Sequence, residues 1–164
     1  MSEDDAVRTI VTPTRVEYTY TPGIAAEKFL MSLAKGEIVG QRCPSCSKVY
    51  VPPRGSCARC GVPTDEEVPV ADKGTVTTFC VVRVPSDNID IELPYAAAQI
   101  LLDGADIPFG ALIQECKFDE VRMGMRVQAV WVPDDQLAPT FENIRYFKPL
   151  DEPDVPFEQF KDHI

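Results

Sequence analysis

Hydrophobic residues near the N-terminus recur at helical spacing between positions 24 and 35. This spacing predicts one amphipathic helix of about three turns, and Gly36 is well placed to end it. Residues 38–41 are then predicted to form a first strand, so the helix leads directly into the segment that follows. The apolar face of the helix needs a cover, and a partner protein is one candidate. The apolar positions are Ile24, Ala25, Phe29, Leu30, Leu33 and Ala34.

From position 74 onward the pattern changes to short runs typical of strands. The predicted strands cover residues 76–84, 95–102, 109–116, 125–132 and 140–147, and Val76, Thr78, Cys80, Val82 and Val84 share one face of the first. Five short strands separated by Gly, Pro and Asp predict a mainly β protein with a five-stranded antiparallel barrel, for which an OB-fold is the natural candidate. Other small barrels and a sandwich stay open alternatives.

The segments outside these elements divide the chain into four expected parts: an N-terminal arm (1–22), the helix with the ribbon (23–67), the barrel (68–148) and an acidic tail (149–164). The arm alternates Val16, Tyr18 and Tyr20 with polar residues, a pattern that can add as a strand to another chain. An arm that lies over its own domain is the more ordinary outcome. Residues 63–74 are predicted to be an acidic connection, and the tail to have little structure of its own.

Two Cys-x-x-Cys pairs follow the predicted helix, and ten residues separate them. This spacing allows four thiolates to converge on one tetrahedral Zn²⁺. Four sulfur ligands leave no position for water or substrate, so the sequence predicts a structural rather than a catalytic zinc. The predicted ligands are Cys43, Cys46, Cys57 and Cys60.

Other uses of cysteine fit this sequence less well than zinc. A redox motif places its Cys-x-x-Cys pair on a helix after a strand, whereas each pair here lies among Pro, Ser, Gly and Arg. Iron can occupy the same four-thiolate cage, but an electron-transfer module would leave the barrel without a purpose. Cys80 and Cys116 lie in apolar runs and are predicted to be buried reduced thiols, with a disulfide between them as the less favoured alternative.

The chain is acidic, with a formal net charge of −10. One segment is an exception, because residues 40–60 contain four basic residues and no Asp or Glu. A zinc with four thiolates carries about two negative charges, so part of this positive charge offsets the metal site. The surplus can meet a phosphate or an acidic partner surface, or it can merely screen the thiolates. The basic residues are Arg42, Lys48, Arg54 and Arg59.

No catalytic residue is predicted. The sole histidine, His163, lies one residue from the end, where chain termini are commonly mobile. Asp87, Asp90 and Glu92 fall in a predicted loop, where acids are usually just solvated.

An OB-fold that binds single-stranded nucleic acid is the alternative function. Such a surface combines basic groups with exposed aromatic rings on which bases stack. Acidic residues outnumber basic ones in the predicted barrel, which opposes this function because phosphate contacts supply most of the affinity. The aromatic residues are more simply assigned to the core, and they are Phe79, Tyr95, Phe109, Trp131 and Phe141.

The order of these parts resembles the family of zinc-ribbon/OB-fold acyl-CoA-associated proteins, over roughly residues 24 to 147. The ribbon carries the more specific part of the resemblance, although Ser47 stands where many relatives have glycine. The matching pieces are Arg42-Cys43-Pro44-Ser45-Cys46, Pro52-Pro53-Arg54, Cys57-Ala58-Arg59-Cys60-Gly61 and Gly124-Met125-Arg126-Val127.

The resemblance implies a non-catalytic accessory subunit. Its expected partner is a thiolase-fold enzyme, such as a thiolase or an aldolase of steroid side-chain degradation, or an acyl-CoA hydratase. It further implies that acyl-CoA lies at the shared interface and that the four cysteines hold the metal. Arg42, Lys48, Arg54 and Arg59 are candidate contacts for the CoA phosphates.

The same sequence carries no apolar run long enough for a membrane span. Its first residues are acidic, where a secretory signal is basic and then apolar. A cytoplasmic protein is therefore expected, with neither a membrane nor a nucleic acid among its partners.

Overall fold

The protein is described by a computed structural model that covers residues 9–12, 16–85 and 91–164. Its helix α1 spans Ile24–Leu33, as the periodicity predicts, and buries Phe29 and Leu33. Gly36 adopts φ +74° just beyond the helix, the left-handed conformation that commonly closes one. Ile24 remains 76% exposed, so α1 leaves part of its surface apolar and uncovered.

A three-stranded antiparallel sheet follows α1. It consists of β1 (Ile38–Arg42), β2 (Val49–Tyr50) and β3 (Glu66–Val70), in the order β2-β1-β3. The prediction that residues 63–74 merely connect two modules is therefore wrong. Strand β3 pairs with β1 along its full length, from Ile38 opposite Val70 to Arg42 opposite Glu66, because the backbone of β1 needs a partner on each side.

Five further strands close a barrel in the order β4-β5-β6-β8-β7. The predicted mainly β architecture with a five-stranded barrel is confirmed. One detail differs, because β6 and β8 run parallel and pair only at Ile113 with Phe147. The strands are β4 (Lys73–Val82), β5 (Tyr95–Leu102), β6 (Phe109–Ile113), β7 (Arg126–Trp131) and β8 (Ile144–Pro149).

Two predictions about individual strands are wrong. The register of β4 against β5 shifts between Val76 and Thr78, and such a bulge breaks the strict alternation of faces. Val76 is consequently buried while Cys80 is exposed. The predicted strand at 140–147 starts late, because residues Phe141–Asn143 form a 3₁₀ turn in which the Thr140 hydroxyl accepts a hydrogen bond from the Glu142 N–H.

The main core lies inside the barrel and continues under α1 and the base of the ribbon sheet. The aromatic residues do not all join it, contrary to expectation. Phe79 is 38% exposed and Phe141 is 53% exposed, whereas Phe109 and Trp131 pack against the core. Its fully buried members include Val76, Ile100, Leu102, Val127 and Phe147.

The C-terminal tail is packed against the barrel, so the prediction that it has little structure of its own is wrong. Phe160 is 2% exposed, and Arg122 donates to both carboxylate oxygens of Asp154 at 2.5 and 2.7 Å. The predicted mobile end is also fixed, because His163 Nδ1 lies 2.7 Å from the backbone oxygen of Asp106. Acidic residues of the tail thus form ion pairs with arginines of the barrel instead of only facing solvent.

Gly124, in the turn before β7, makes this docking possible. It adopts φ +87°, and a Cβ built there would lie 2.5 Å from the backbone oxygen of Val155. The tail therefore approaches the turn more closely than any residue with a side chain would allow.

Among the described residues, none of the helices has the length and apolar character that crossing a membrane requires. The loop residues Asp87 and Asp90, which the sequence places beside Glu92, lie outside the described residues, as does Arg15 of the arm.

Candidate functional site

The four predicted metal ligands lie together at the end of the ribbon. The sulfur atoms of Cys43, Cys46, Cys57 and Cys60 all fall within 4.8 Å of one another, and those of Cys46 and Cys57 are 3.7 Å apart. A zinc with four sulfur ligands at about 2.3 Å has sulfur–sulfur edges of about 3.8 Å. The donor set and its spacing therefore fit one tetrahedral metal ion.

Each Cys-x-x-Cys pair sits on a tight turn, and we call these two turns, residues 43–47 and 57–61, the knuckles. The Ser47 N–H donates to the Cys43 carbonyl and the Gly61 N–H to the Cys57 carbonyl, both at 2.9 Å. The two residues adopt φ +61° and +69°, which costs little for glycine and more for serine. Ser47 therefore holds the same backbone turn as the glycine expected at that place. In the second knuckle, the Cys60 N–H also donates to the Cys57 sulfur at 3.3 Å.

Tyr50 also belongs to this site, although the sequence alone assigns it no role. Its buried hydroxyl lies 3.2 Å from the Cys57 sulfur and accepts a hydrogen bond from the Ala58 N–H at 3.2 Å. A Cys57 thiolate has no proton to give, so in that state the hydroxyl donates its own proton to the sulfur. The available signal was its place between Val49 and Val51, because an apolar run predicts burial and a buried tyrosine needs a polar partner.

Ionisation of the cluster is unequal without a metal. The hydrogen bond from Tyr50 favours the thiolate and lowers the pKa of Cys57 to about 6. For Cys46, a hydrogen bond from the Lys48 backbone acts to lower the pKa, but burial and the neighbouring cysteines outweigh it and raise the pKa to about 11. The cluster thus favours a mixed protonation state when empty, and a bound cation would displace the remaining protons.

The four predicted basic residues surround the knuckles, but they differ in what they contact. Arg42 donates to the Glu66 carboxylate at 3.3 Å across the β1–β3 pair, and Arg54 lies with its guanidinium carbon 5.8 Å from the centre of the Tyr50 ring. Lys48 is half-buried, whereas Arg54 and Arg59 are exposed. Among the described residues, an ion pair with an acidic side chain is seen for Arg42 and not for Lys48, Arg54 or Arg59.

The remaining cysteines lie away from the metal site. Both carry free thiols, with Cys80 exposed and Cys116 half-buried. The predicted burial of Cys80 is thus wrong. Cys80 and Cys116 do not form the disulfide that was the alternative. Burial raises the pKa of the Cys116 thiol, and Glu120 adds to the effect.

A largely apolar groove of about 410 Å³ opens where α1, the ribbon and the barrel meet. Sequence periodicity could not locate it, because its walls come from three elements far apart in the chain. We call it the barrel groove. It is lined by Phe29 and Leu33 of α1, by Ile38, Val51 and Pro52 of the ribbon, by residues 109–112 of β6, by Phe141 and Glu142, and by Ile144 and Arg145 of β8.

Two family models match this chain in succession. Residues 32–66 match the ChsH2 rubredoxin-like zinc ribbon domain, and residues 67–132 match the ChsH2 C-terminal OB-fold domain. A DUF35 domain-containing scaffold protein of Methanocaldococcus jannaschii is 36% identical over 95 residues, which are 57% of this chain and 67% of the relative. This chain belongs to the DUF35 family. The resemblance seen in the sequence is thereby confirmed.

A second scaffold protein and two solved structures are also similar to this chain. A scaffold protein of Methanothermobacter thermautotrophicus is 28% identical over 96 residues, covering 57% of this chain and 71% of the relative. A solved chain of the Ltp2–ChsH2(DUF35) aldolase superposes with a TM-score of 0.59 at 22% identity, over 80% of this chain and 98% of that one. A DUF35 protein of unknown function from Sulfolobus solfataricus gives 0.57 at 19% identity, over 77% and 84%. At such identities the two structures support the fold alone.

Proposed function

We propose that this chain is a non-catalytic scaffold subunit that docks on an enzyme acting on acyl-CoA, a thiolase-fold enzyme or a hydratase. The closed four-sulfur cluster is the observation that carries this proposal, because a metal held by four buried or half-buried cysteines keeps no position for a substrate. The names of the two archaeal relatives and the aldolase complex that contains a DUF35 chain support the same role. Catalysis then belongs to the partner, and this chain shapes the interface.

The metal in this proposal is zinc. Four cysteines at tetrahedral spacing are the donor set of structural zinc sites, and the matched ribbon model bears that metal in its description. Zinc would fix the two knuckles relative to each other and so hold the surrounding basic side chains in place.

Those side chains suggest where the CoA phosphates bind. Arg54 and Arg59 are exposed beside the metal cluster, and a guanidinium group can donate two parallel hydrogen bonds to a phosphate. Lys48 adds a third positive charge, whereas Arg42 would first have to leave Glu66. The acyl part of the ligand would then extend toward the partner enzyme, in a channel that the two proteins share.

Purification of the tagged chain from its native cells under reducing conditions tests the docking role. We expect a thiolase-fold or hydratase protein to copurify at fixed stoichiometry, with a complex mass that equals the sum of whole subunits. Recovery of the chain without any enzyme, or with nucleic acid, would contradict the proposal.

Charge reversal tests the CoA contacts separately. Arg54→Glu with Arg59→Glu should weaken acyl-CoA binding by the complex about tenfold or more, since charged hydrogen bonds are each worth about 1.5–3 kcal/mol. Arg83→Glu is the matched control, because Arg83 lies over the Phe118 ring at 4.9 Å, in the barrel rather than at the knuckles. An unchanged dissociation constant in the double variant would reject these contacts while leaving the docking role intact.

A further inference from the structure

The barrel is incompletely paired on one side. All five residues of β6 are paired with β5, from Phe109 opposite Ile100 to Ile113 opposite Ala96. On its other side β6 meets β8 at Ile113 alone. Among the described strands, residues 109–112 therefore have no second partner, and such an edge presents backbone N–H and C=O groups to an added strand.

This open edge forms one wall of the barrel groove. Phe29 and Leu33 of α1 line the groove but are at most 5% exposed. Its accessible apolar surface comes from Phe141, which is 53% exposed, and from the partly buried Phe109, Leu112 and Ile144. Backbone hydrogen-bonding groups next to an apolar cleft are the features that recognise an extended peptide with alternating hydrophobic side chains.

The N-terminal arm of the same chain has that character. Val16, Tyr18 and Tyr20 alternate with polar residues, and their exposed fractions are 74%, 75% and 70%. These three side chains are therefore available for a contact with another surface, and whether the arm lies over its own domain stays a prediction. In the described part of the arm, residues 9–12 and 16–23, the chain is neither helix nor strand.

The length of the arm segment and the positions of the prolines beside it also match the open edge of β6. Five residues in extended conformation, 16–20, span about 17 Å, and the four residues of the open edge span about 13 Å. Pro13 and Pro22 flank the segment in sequence, and proline cannot donate to a strand ladder. The part of the arm able to pair is thus limited to about the length that the edge offers.

We propose that residues 16–20 of one copy add as a strand to the β6 edge of a second copy, with Val16, Tyr18 and Tyr20 in its barrel groove. In the described part of the chain, Val16, Tyr18 and Tyr20 are exposed and the barrel groove is open. Two copies related by a two-fold axis cover both surfaces at once, because each gives its arm and receives the other's. The partner of this surface is therefore a second copy of the chain, independent of whether the scaffold role holds.

Mass measurement of the purified full chain over a concentration series tests the exchange. We expect a species of twice the 18.2 kDa chain mass. Tyr18→Ser with Tyr20→Ser should raise its dissociation constant at least about tenfold, since buried tyrosines are frequent anchors of interfaces. Phe141→Ala should weaken the dimer from the groove side. Thr19→Ser, on the opposite face of the same segment, is the control and should leave the dimer unchanged.

Photo-crosslinking identifies which groove the arm enters. A benzophenone amino acid placed at position 18 is irradiated in a mixture of unlabelled and ¹⁵N-labelled chains. Crosslinks to residues 109–112 that join one labelled and one unlabelled chain would support the exchange. Crosslinks only within chains would overturn it in favour of an arm that closes its own groove. A monomer at every concentration would overturn it as well.

Discussion

The knuckles and the barrel bury very different groups. Around the metal cluster, the fully buried side chains are Cys43, Tyr50 and Cys57, and only a few partly buried residues pack against them. The main core instead holds a large continuous set of aliphatic and aromatic side chains, with Val127 and Phe147 wholly excluded from solvent. We therefore expect the knuckles to depend on bonds to a metal, whereas the barrel depends on apolar burial.

Loss of a metal ligand should produce the largest effect, and it should be confined to the knuckles. Structural zinc contributes on the order of 10 kcal/mol to the folding of small sites, so Cys57→Ser should abolish metal binding and disorder both turns. Metal analysis measures the first effect. Trp131 is the sole tryptophan and lies on β7, so its fluorescence reports whether the barrel still unfolds cooperatively.

The matched control is Cys80→Ser, which changes an exposed thiol outside the cluster. It should keep the metal and the wild-type unfolding curve. A Cys57→Ser protein that retained a full equivalent of metal would contradict the four-sulfur site. Loss of all cooperative unfolding would show instead that the barrel cannot fold without the knuckles.

A cavity in the main core should instead destabilise the barrel and leave the metal site intact. Phe147 is 0% exposed, and replacing a buried phenylalanine by alanine costs about 3–5 kcal/mol. Phe147→Ala should therefore lower the denaturant midpoint of Trp131 fluorescence while the folded fraction keeps its metal. Phe157→Ala, at a position 52% exposed, should change the midpoint little. Equal losses in the two variants would mean that burial does not govern barrel stability.

Removal of the Tyr50 hydroxyl should give a smaller change at the metal. Tyr50→Phe keeps the buried ring but deletes the hydrogen bond to the Cys57 sulfur. Groups that orient metal ligands in this way typically contribute about 10–100-fold to metal affinity. Competition with a chromophoric chelator measures the change. Wild-type affinity in Tyr50→Phe would show that the hydroxyl does not assist the ligand.

Acid pH should have the smallest effect on stability, and it should act through the docked tail. A hydrogen bond from Arg126, helped by Lys73, holds the pKa of Glu152 below its ordinary value of 4.5. Because the folded pKa is the lower one, the contribution is present above about pH 4.5 and is lost as the pH falls through the folded value. Glu152→Gln should flatten this part of the pH dependence of the unfolding free energy. Parallel curves for variant and wild type would contradict it.

The sequence predicted most reliably what a local pattern determines. Helix α1 follows from its periodicity, and the metal ligands follow from the spacing of Cys43, Cys46, Cys57 and Cys60, which the structure brings together. Errors arose where distant residues decide the outcome. The bulge after Val76 exposes Cys80, and pairing with β1 turns an acidic connection into β3.

The tail shows the same limit. Its acidic and proline-rich composition favours disorder, yet Arg122 and Arg126 of the barrel pair with Asp154 and Glu152. Composition cannot show that a segment's charges have partners elsewhere. The role of Tyr50 was missed for a related reason, because its partner Cys57 is reached only after the ribbon folds.

The most direct test of the scaffold role is a turnover assay with the enzyme that copurifies with this chain. Acyl-CoA conversion is measured for the enzyme alone, for this chain alone, and for the two combined, with Cys57→Ser as the unfolded-knuckle variant and Cys80→Ser as its control. We predict no turnover by this chain alone. Addition of the wild-type or Cys80→Ser chain should raise the enzyme's rate or its affinity for acyl-CoA, whereas addition of Cys57→Ser should not. Turnover by the isolated chain, or an enzyme indifferent to its presence, would contradict the account.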